Sequence, residues 1–342
     1  MTVLCGKHRP VASPALAPTQ LGEADAFDNR QQAADTALTI GLINSMPDSA
    51  LQATERKFTR LLQAEAGNRH IDLHYFSLPS VKRSEQTQQL MHGRYRDIAD
   101  LDRLRFDGVI VTDAAPNAAA LREEPFWNDL VAIVDWAKIN TRSAIWSCLA
   151  AHAAVLHLDG IERQLLDEKC SGVYDCFKVI DDRLTQDVAS PLKIAHSRLH
   201  ALRRSDLAAN GYQILTESPD AGVDIFVKQL RSRFVFFQGY PEYEALSLQR
   251  EYLRDITRYL SRQRDRFPDT PAHYFDQETE KKLAHYRKRA VAERTIPLSI
   301  ELPRLTLRPG LASGEAASSI FRNWLEYLSE GVKPTAEASH RR

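Results

Sequence analysis

A cysteine at position 148 lies where an apolar run, SAIWS (143–147), meets an alanine-rich helical pattern, LAAHAAVLHLDG (149–160). This order predicts a strand, a tight turn and a helix, with the Cys148 thiol at the start of the helix. The unpaired N–H groups and the positive dipole end of a helix start lower the pKa of a thiol placed there. The backbone N–H of Leu149 would be an oxyanion donor. The pattern favours a cysteine nucleophile, and a buried structural cysteine is the alternative.

A nucleophilic thiol needs a base, because a thiol with an ordinary pKa near about 8.5 is only slightly ionised at neutral pH. His152 follows Cys148 by one helical turn, and His196 lies near the end of the apolar run LKIAHS (192–197). A lone histidine is more often structural than catalytic, so the residues alone leave the base open.

A third stretch, FVFFQGYPEYE (234–244), places polar side chains directly after an apolar run. The run predicts a buried strand, and the Gln-Gly pair that follows predicts a turn. Tyr240 and Glu242 lie in that turn. Either they form part of an active site or they are polar turn residues with no role in catalysis.

Apolar runs of strand length alternate with amphipathic helical patterns along much of the chain. The predicted strands are 37–44, 71–78, 107–112, 143–147, 175–180, 192–197, 212–217, 224–229 and 234–239. The predicted helices are 53–66, 121–140, 149–160, 245–264, 277–293 and 318–330. This order predicts an α/β fold with a doubly wound, mostly parallel sheet, to which the segment 161–235 adds antiparallel strands.

Three segments are expected along the chain. Residues 1–36, rich in Ala, Pro, Gln and Asp, form an N-terminal arm. Residues 37–276 form the α/β domain. Residues 277–342 form a helical and extended C-terminal extension that packs on this domain.

The composition is that of a globular protein, with 43% hydrophobic and 26% charged residues among 342. Lys plus Arg and Asp plus Glu both number 45, so the net charge is zero and nucleic-acid binding is not expected as the main function. The four cysteines form no CxxC pair, which favours a reduced cytoplasmic setting, and no spacing suggests a metal site. No run of about 18 apolar residues occurs, so neither a signal peptide nor a membrane span is expected.

Several blocks occur in a specific order along residues 38–275 and 319–329. They are IGLINSMPDSALQATERKFTRLL, DGVIVTDAAPNAAALREEPFW, IWSCLAAHAAVLHLDGI, EKCSGVY, AHSR, QGYPEYE, LQREYLRDI, HYF and FRNWLEY. In this order they resemble the homoserine O-succinyltransferase/O-acetyltransferase family of methionine biosynthesis. The resemblance implies a flavodoxin-like fold of the class I glutamine amidotransferase type.

The resemblance also implies roles for individual residues. Cys148 would take an acyl group from an acyl-CoA, and Glu242 would orient the general base. Lys169, Ser197 and Arg254 would hold the amino-acid substrate. The two-pronged guanidinium of Arg254 suits the carboxylate of such a substrate.

Three positions depart from the family pattern or leave a choice open. Asn117 falls in the loop with which the family selects its acyl donor, but asparagine is neither of the residue types associated with that selection. Succinyl-CoA and acetyl-CoA therefore both remain candidate donors. Asp113 stands where the family has a glycine, and Tyr240 stands where it has its histidine base. A phenol with a pKa near about 10 is a poor base. Either His152 or His196 substitutes, or a thiolate of shifted pKa works with weaker help, or acyl transfer has been lost.

The sequence therefore predicts an O-acyltransferase that carries a succinyl or acetyl group, through a thioester on Cys148, to the hydroxyl of homoserine or a related hydroxy amino acid such as serine. Two alternatives are a catalytically impaired or regulatory paralogue that binds the ligands, and another Cys-dependent hydrolase of amidotransferase type. No permanently bound cofactor is expected. The expected partners are small-molecule substrates, and the resemblance implies a homodimer.

Overall fold

The computed structural model describes residues 37–116, 118–294, 301–311 and 314–330 of the chain. Its strands are β1 (Ala37–Ile43), β2 (His70–Ser77), β3 (Tyr95–Asp97), β4 (Gly108–Val111), β5 (Ser143–Ser147), β6 (Gln164–Lys178), β7 (Leu192–Ala201), β8 (Gln213–Ile214), β9 (Thr216–Ser218), β10 (Gly222–Val223), β11 (Ile225–Gln229) and β12 (Arg233–Phe237). Its helices are α1 (Asp48–Glu65), α2 (Glu85–Met91), α3 (Trp127–Asn140), α4 (Leu149–Asp159), α5 (Arg204–Ala209), α6 (Ser247–Leu260), α7 (Gln277–Glu293) and α8 (Glu315–Ser329). The predicted N-terminal arm and Asn117 fall outside this part of the chain.

The main sheet has eight strands in the order β3-β2-β1-β4-β5-β12-β11-β8. Neighbouring strands from β3 to β12 are parallel, while β11 is antiparallel to both β12 and β8. The segment β2-β1-β4-β5-β12 follows the flavodoxin-type order. The predicted doubly wound, mostly parallel α/β fold is confirmed, as are antiparallel strands supplied by the segment 161–235.

The central strands of this sheet are apolar on both faces because helices cover both. On one face Val109, Trp146 and Phe236 pack against α3 and α4. On the other face Ile110 and Phe237 pack against α1 and α8. Since successive side chains of a strand point to opposite faces, a strand covered on both sides is a continuous apolar run. This explains the pattern of β4 and β5, and it fixes the strand ends where polar residues follow.

A second, antiparallel sheet has the order β10-β9-β6-β7. β6 is much longer than the strand predicted at 175–180, because its first half has no buried residue and includes Asp167, Glu168 and Lys169, so it lacks an apolar pattern. The prediction of one strand over 212–217 is wrong. Its two ends pair in different sheets as β8 and β9, and between them the Leu215 N–H donates to the Ile225 carbonyl at 2.8 Å. This second sheet reaches the main one through the Tyr240 N–H, which donates to the Ala195 carbonyl of β7 at 2.7 Å.

The last helix, α8, belongs to the layer that covers the main sheet. Phe321, Trp324 and Leu328 are buried against α1 and the sheet. The Trp324 indole N–H donates to Ser143 Oγ at 3.0 Å. Gly108 leaves room for this ring, since a Cβ at that position would lie 2.7 Å from Trp324. The C-terminal part of the chain therefore contributes to the same core as the central strands.

Helix boundaries agree with the sequence pattern to different degrees. α7 spans the predicted residues and packs with α6 in a separate apolar cluster. α1 begins at Asp48, directly after Pro47, and so starts earlier than the apolar spacing predicted. The short elements α2, β3 and α5 were not predicted. Across the described ranges, no helix has both the length and the apolar character needed to cross a membrane.

Candidate active site

Side chains predicted to do chemistry lie at the carboxyl end of the main sheet. The loops after β1, β4, β5 and β12 meet there, at the edge where doubly wound sheets bind ligands. The register pairs Phe237 with Ser147, so β12 and β5 end side by side and their turns begin together. A cavity of about 220 Å³ opens at this edge. Its lining includes Met46, Lys57, Thr112, Asp113, Tyr240, Glu242, Tyr243, Glu251 and Arg254.

Cys148 occupies the turn between β5 and α4, as its sequence position predicted. Its backbone φ of 46° and ψ of −105° are unusual for a residue with a side chain. Such a conformation costs on the order of 1–3 kcal/mol and persists only where the surroundings enforce it. The Cys148 N–H donates to the Phe237 carbonyl at 2.7 Å, which ties the turn to β12. The turn therefore places the thiol between the ends of the two central strands.

The prediction that the helix start lowers the pKa of this thiol is wrong. Burial raises the pKa of Cys148, and the nearby Asp113 carboxylate raises it further. A buried thiolate loses its hydration, and a neighbouring negative charge disfavours a second one. The thiol is therefore protonated at neutral pH and depends on a proton acceptor.

Asp113 occupies the position next to the helix start that was expected to hold an oxyanion. The Asp113 Oδ1 accepts two backbone hydrogen bonds, from the Leu149 N–H at 3.1 Å and from the N–H of the next residue, Ala114, at 2.9 Å. The carboxylate thus makes charge-assisted hydrogen bonds with the predicted oxyanion donor. Burial raises the pKa of Asp113 to about 6, although these hydrogen bonds and that of Tyr240 lower it.

Tyr240 connects Asp113 to the thiol. Its hydroxyl donates to Asp113 Oδ2 at 2.7 Å, and Tyr240 and Cys148 act on each other's pKa as neighbours. Its ring stacks on Tyr243 with centroids 4.4 Å apart. Burial raises the pKa of Tyr240 well above its usual value, and the Asp113 carboxylate adds to that rise. The phenol therefore stays protonated, and Tyr240 cannot serve as the final acceptor of a proton at neutral pH.

The two histidines considered as substitute bases have other hydrogen-bond partners. His152 Nε2 lies 3.1 Å from Gln238 Oε1, and burial lowers the pKa of His152 to about 3. Buried His196 accepts from Arg198 through Nδ1 at 3.3 Å, and burial lowers its pKa as well. The structure therefore does not bring either imidazole to the thiol as a hydrogen-bonded base.

His196 belongs to a buried cluster with Cys176 and Asp224. Their potential ligand atoms all lie within 4.8 Å of one another. However, the Arg198 guanidinium donates to His196 Nδ1, which leaves the ring proton on Nε2, the nitrogen that faces Asp224 at 3.4 Å. A protonated nitrogen cannot ligate a metal, and a guanidinium beside the ring opposes a cation. Arg198 and Thr216 hold His196 and Asp224 by hydrogen bonds, while His196 Nε2 and Asp224 Oδ1 have no hydrogen-bond partner among the described residues.

Glu242 contributes a half-buried side chain to the cavity, with its Oε2 buried. Its Oε2 has no hydrogen-bond partner among the described residues. Burial raises the pKa of Glu242 to about 7, and the Lys57 ammonium nearby opposes that rise. Burial in turn lowers the pKa of Lys57, against the attraction of Glu242. Glu242 was predicted to orient the base, but the Tyr240 hydroxyl at the base position bonds to Asp113 instead.

Replacing Glu242 with glutamine is expected to stabilise the protein by up to about 3 kcal/mol at pH 8. A carboxyl group whose pKa is raised from 4.5 to about 7 on folding binds its proton more tightly in the folded state. Its ionisation therefore lowers stability as pH rises through that window. Urea denaturation of both proteins at pH 8 and pH 5 measures the effect. The gain should shrink at pH 5, and an equal gain at both pH values would contradict the burial of an ionisable Glu242.

The three residues expected to hold the amino-acid substrate converge on two acidic residues of α6. Ser197 Oγ donates to Glu251 Oε2 at 2.5 Å. Lys169 Nζ lies 4.0 Å from the same Glu251 oxygen and 3.7 Å from Asp255. The Arg254 guanidinium faces both the cavity and Asp255, at 3.2 Å. Cations and carboxylates thus stand side by side in this cluster.

Several site residues were missed from the sequence. Asp113 was noted only as a departure, although it directly follows an apolar strand and so had the same signal as Cys148. Glu251 also accepts from the Tyr243 hydroxyl at 2.5 Å, which joins the 240–244 turn to α6. Its spacing of three and four residues from Arg254 and Asp255 places all three on neighbouring positions of the helix surface. Lys57 had no signal beyond its place in an amphipathic helix.

Comparisons with known proteins find relatives along nearly the whole chain. A family model described as homoserine O-succinyltransferase matches residues 20–296. The homoserine O-succinyltransferase of Bradyrhizobium japonicum is 55% identical over 332 residues, which is 97% of this chain and 100% of that protein. The homoserine O-succinyltransferase of Rhodopseudomonas palustris is 54% identical over 96% of this chain and 99% of that protein.

Solved structures with a similar backbone include a glutamine amidotransferase from Thermotoga maritima, with a TM-score of 0.46 and 14% identity over 86% of this chain and 98% of that one. A glutamine amidotransferase from Methylobacillus flagellatus has a TM-score of 0.47 and 12% identity, over 90% of this chain and 99% of that one. The family match and the two full-length relatives establish that this chain belongs to the homoserine O-succinyltransferase family of acyltransferase enzymes.

Proposed function

We propose that the protein transfers the succinyl group of succinyl-CoA to the hydroxyl of homoserine, through a thioester on Cys148, in methionine biosynthesis. Full-length identity of 55% to a homoserine O-succinyltransferase supports the substrates. The observation that carries the mechanism is the Cys148 turn, whose strained backbone is followed by the Leu149 N–H that donates to Asp113, a residue that lines the same cavity as Arg254. Succinyl-CoA is a co-substrate, and no permanently bound cofactor takes part.

In the first step the Cys148 sulfur attacks the carbonyl carbon of the CoA thioester. A sulfur–carbon bond forms, the thiol proton leaves, and CoA departs as a thiol. The N–H of Leu149 is the oxyanion donor, provided that the Asp113 carboxylate releases it. Splitting the transfer into two steps lets each substrate bind and react in turn.

In the second step the homoserine hydroxyl attacks the acyl-enzyme thioester, and Cys148 leaves as a thiol. In this proposal Arg254 and Lys169 bind the homoserine carboxylate, and Glu251 and Asp255 bind its ammonium group. The ion pairs among these four side chains support the grouping. Ser197 supports Glu251 through its hydroxyl. This grouping favours an amino-acid acceptor over a free alcohol or water.

Arg254→Lys is expected to raise the KM for homoserine by about 10–100-fold, because a hydrogen bond to a charged group contributes about 1.5–3 kcal/mol and lysine lacks the second prong. CoA release from succinyl-CoA without homoserine should be unchanged. Arg258→Lys, an exposed site on the same helix, is the matched control and should leave KM as it is. An unchanged KM in Arg254→Lys would remove Arg254 from the acceptor site.

Steady-state CoA release with succinyl-CoA or acetyl-CoA, each paired with homoserine or serine, tests the substrate assignment. The highest kcat/KM should belong to succinyl-CoA with homoserine. A preference for acetyl-CoA or for serine would overturn the donor or the acceptor, respectively. Asn117, which lies outside the described residues, stays a prediction for donor choice. The cytoplasmic location and the homodimer are likewise proposals from the family resemblance.

A further inference from the structure

We propose that Asp113 is the proton acceptor for Cys148, reached through the Tyr240 hydroxyl, and that this pair takes the place of the family's histidine base. The proposal rests on the proposed function for the identity of the acyl donor, but not for the chemistry of the thiol itself.

The Tyr240 hydroxyl lies between the other two groups. It donates to Asp113 Oδ2 at 2.7 Å, and it is a neighbour of Cys148 that lowers the pKa of the thiol, against the effect of burial. Cys148 and Tyr240 are 7% and 5% exposed, whereas Asp113 is half-buried and lines the cavity together with Tyr240. The thiol and the phenol are therefore shielded from water, and Asp113 is the member of the path that faces the cavity.

The electrostatics of the path place the proton on Asp113 rather than on Tyr240. Burial raises the pKa of Asp113 to about 6, which leaves it ionised at neutral pH yet basic enough to accept a proton. The pKa of Tyr240 is raised well above its usual value. Its hydroxyl can therefore only give its proton to Asp113 while it receives the proton of Cys148. Charged groups from other elements also act on this path. Glu251 raises the pKa of Asp113, Glu242 raises that of Cys148 and Arg198 lowers that of Cys148. The Arg163 guanidinium interacts with both Asp113 and Cys148.

The step balances without another reactant. The S–H bond of Cys148 breaks as the Tyr240 oxygen gains that proton, and the original Tyr240 proton moves to Asp113 Oδ2. The sulfur forms its bond to the thioester carbonyl, the CoA–carbonyl bond breaks, and the CoA sulfur takes a proton back from Asp113. In the second step the homoserine hydroxyl gives its proton to Asp113, and a proton returns through Tyr240 to the departing Cys148 sulfur.

Protonation of Asp113 has a second consequence at the oxyanion site. Its Oδ1 holds the N–H groups of Leu149 and Ala114 while the carboxylate is charged. A neutral carboxyl group makes roughly half as strong a hydrogen bond as a charged one. Accepting the thiol proton therefore loosens Asp113 from these donors at the moment when the oxyanion forms.

The two departures from the family pattern form one unit in this arrangement. A glycine at position 113 could not accept the Tyr240 proton, and an imidazole at position 240 would not need an acceptor there. Asp113 and Tyr240 are directly hydrogen bonded to each other. This direct contact makes the two side chains one hydrogen-bonded unit.

Alkylation of Cys148 by iodoacetamide between pH 5 and pH 9, followed by peptide mass spectrometry, tests the path without any acyl donor. With Asp113 as acceptor, the rate should be level above a pH of about 6 and fall below it, because the acceptor is lost as it becomes protonated. Tyr240→Phe should lower the rate at pH 7 by about 10²–10⁴-fold. Asp113→Asn should lower it by less, because this change also removes the negative charge that raises the pKa of Cys148. Both should replace the level region with a continuous rise towards high pH. The double variant should be no slower than the slower single variant, since the groups act in series.

Tyr212→Phe is the matched control, because Tyr212 is another buried tyrosine that donates to a carboxylate, Asp159, at 2.6 Å. It should leave the pH profile unchanged. Glu242→Gln should keep the inflection near pH 6, which separates Asp113 from the other titrating carboxyl of the cavity.

An Asp113→Asn protein that is alkylated as fast as the parent, with the same pH–rate profile, would overturn the proposal. Asp113 would then only occupy the oxyanion site. Tyr240→Phe with an unchanged profile would overturn it equally, and serves if Asp113→Asn fails to fold. The expected profiles together with no succinyl transfer would instead overturn the proposed function and leave the proton path standing.

Discussion

Replacing Cys148 with alanine is expected to lower the rate of succinyl transfer by about 10⁴–10⁶-fold, the loss seen when a covalent nucleophile is removed. The alanine side chain fits the same turn, because it is smaller than the thiol that the turn already holds. CoA release and O-succinylhomoserine formation should disappear together. Both can be followed in one stopped assay by thiol detection and mass spectrometry.

Cys170→Ala is the control for this variant. Cys170 is a second free cysteine, partly buried on β6, and has no part in the proposed transfer. It should retain the parental rate. A Cys148→Ala protein that keeps more than a small fraction of the parental activity would refute the thioester.

Trp324→Ala is expected to lower the free energy of unfolding by about 3–5 kcal/mol, as large-to-small changes of buried aromatic residues do. Trp324 is 1% exposed, and it packs over Gly108 at the centre of the main sheet. The change would open a cavity between α8 and the sheet and leave Ser143 Oγ without the indole donor. Urea denaturation followed by circular dichroism measures the loss.

Trp136→Ala provides the comparison, since the Trp136 ring is only partly buried and its indole donates to Asp102 near the surface. It should cost less than half as much as Trp324→Ala. Equal losses would mean that α8 is not part of the central core, and that the C-terminal residues form a peripheral addition.

The sequence located the site better than it described the site's chemistry. The Cys148 turn and the end of β12 could be predicted because continuous apolar runs end abruptly at both places. The doubly wound order followed from the alternation of strand and helix patterns. The position of Asp113 after β4 was equally visible, but its hydrogen bonds were not. They depend on the register of β4 beside β5 and on the strained backbone of Cys148.

Errors in the predicted elements have a similar physical origin. β6 was underestimated because an exposed strand carries charges that hide its alternation. The segment 212–217 was taken as one strand because its pattern does not show that Leu215 separates two sheets. The pKa of Cys148 was predicted in the wrong direction because the helix start was considered without burial and without the neighbouring carboxylate.

The central claim is that Cys148 carries the succinyl group between two substrates. Intact-mass spectrometry of the protein mixed with succinyl-CoA alone, and then with homoserine, tests it most directly. We expect the mass of one succinyl group to appear on the protein, to map to the peptide with Cys148, and to disappear as O-succinylhomoserine forms. An unmodified protein that still makes O-succinylhomoserine would contradict the thioester, and a succinyl group that homoserine cannot remove would contradict the transfer.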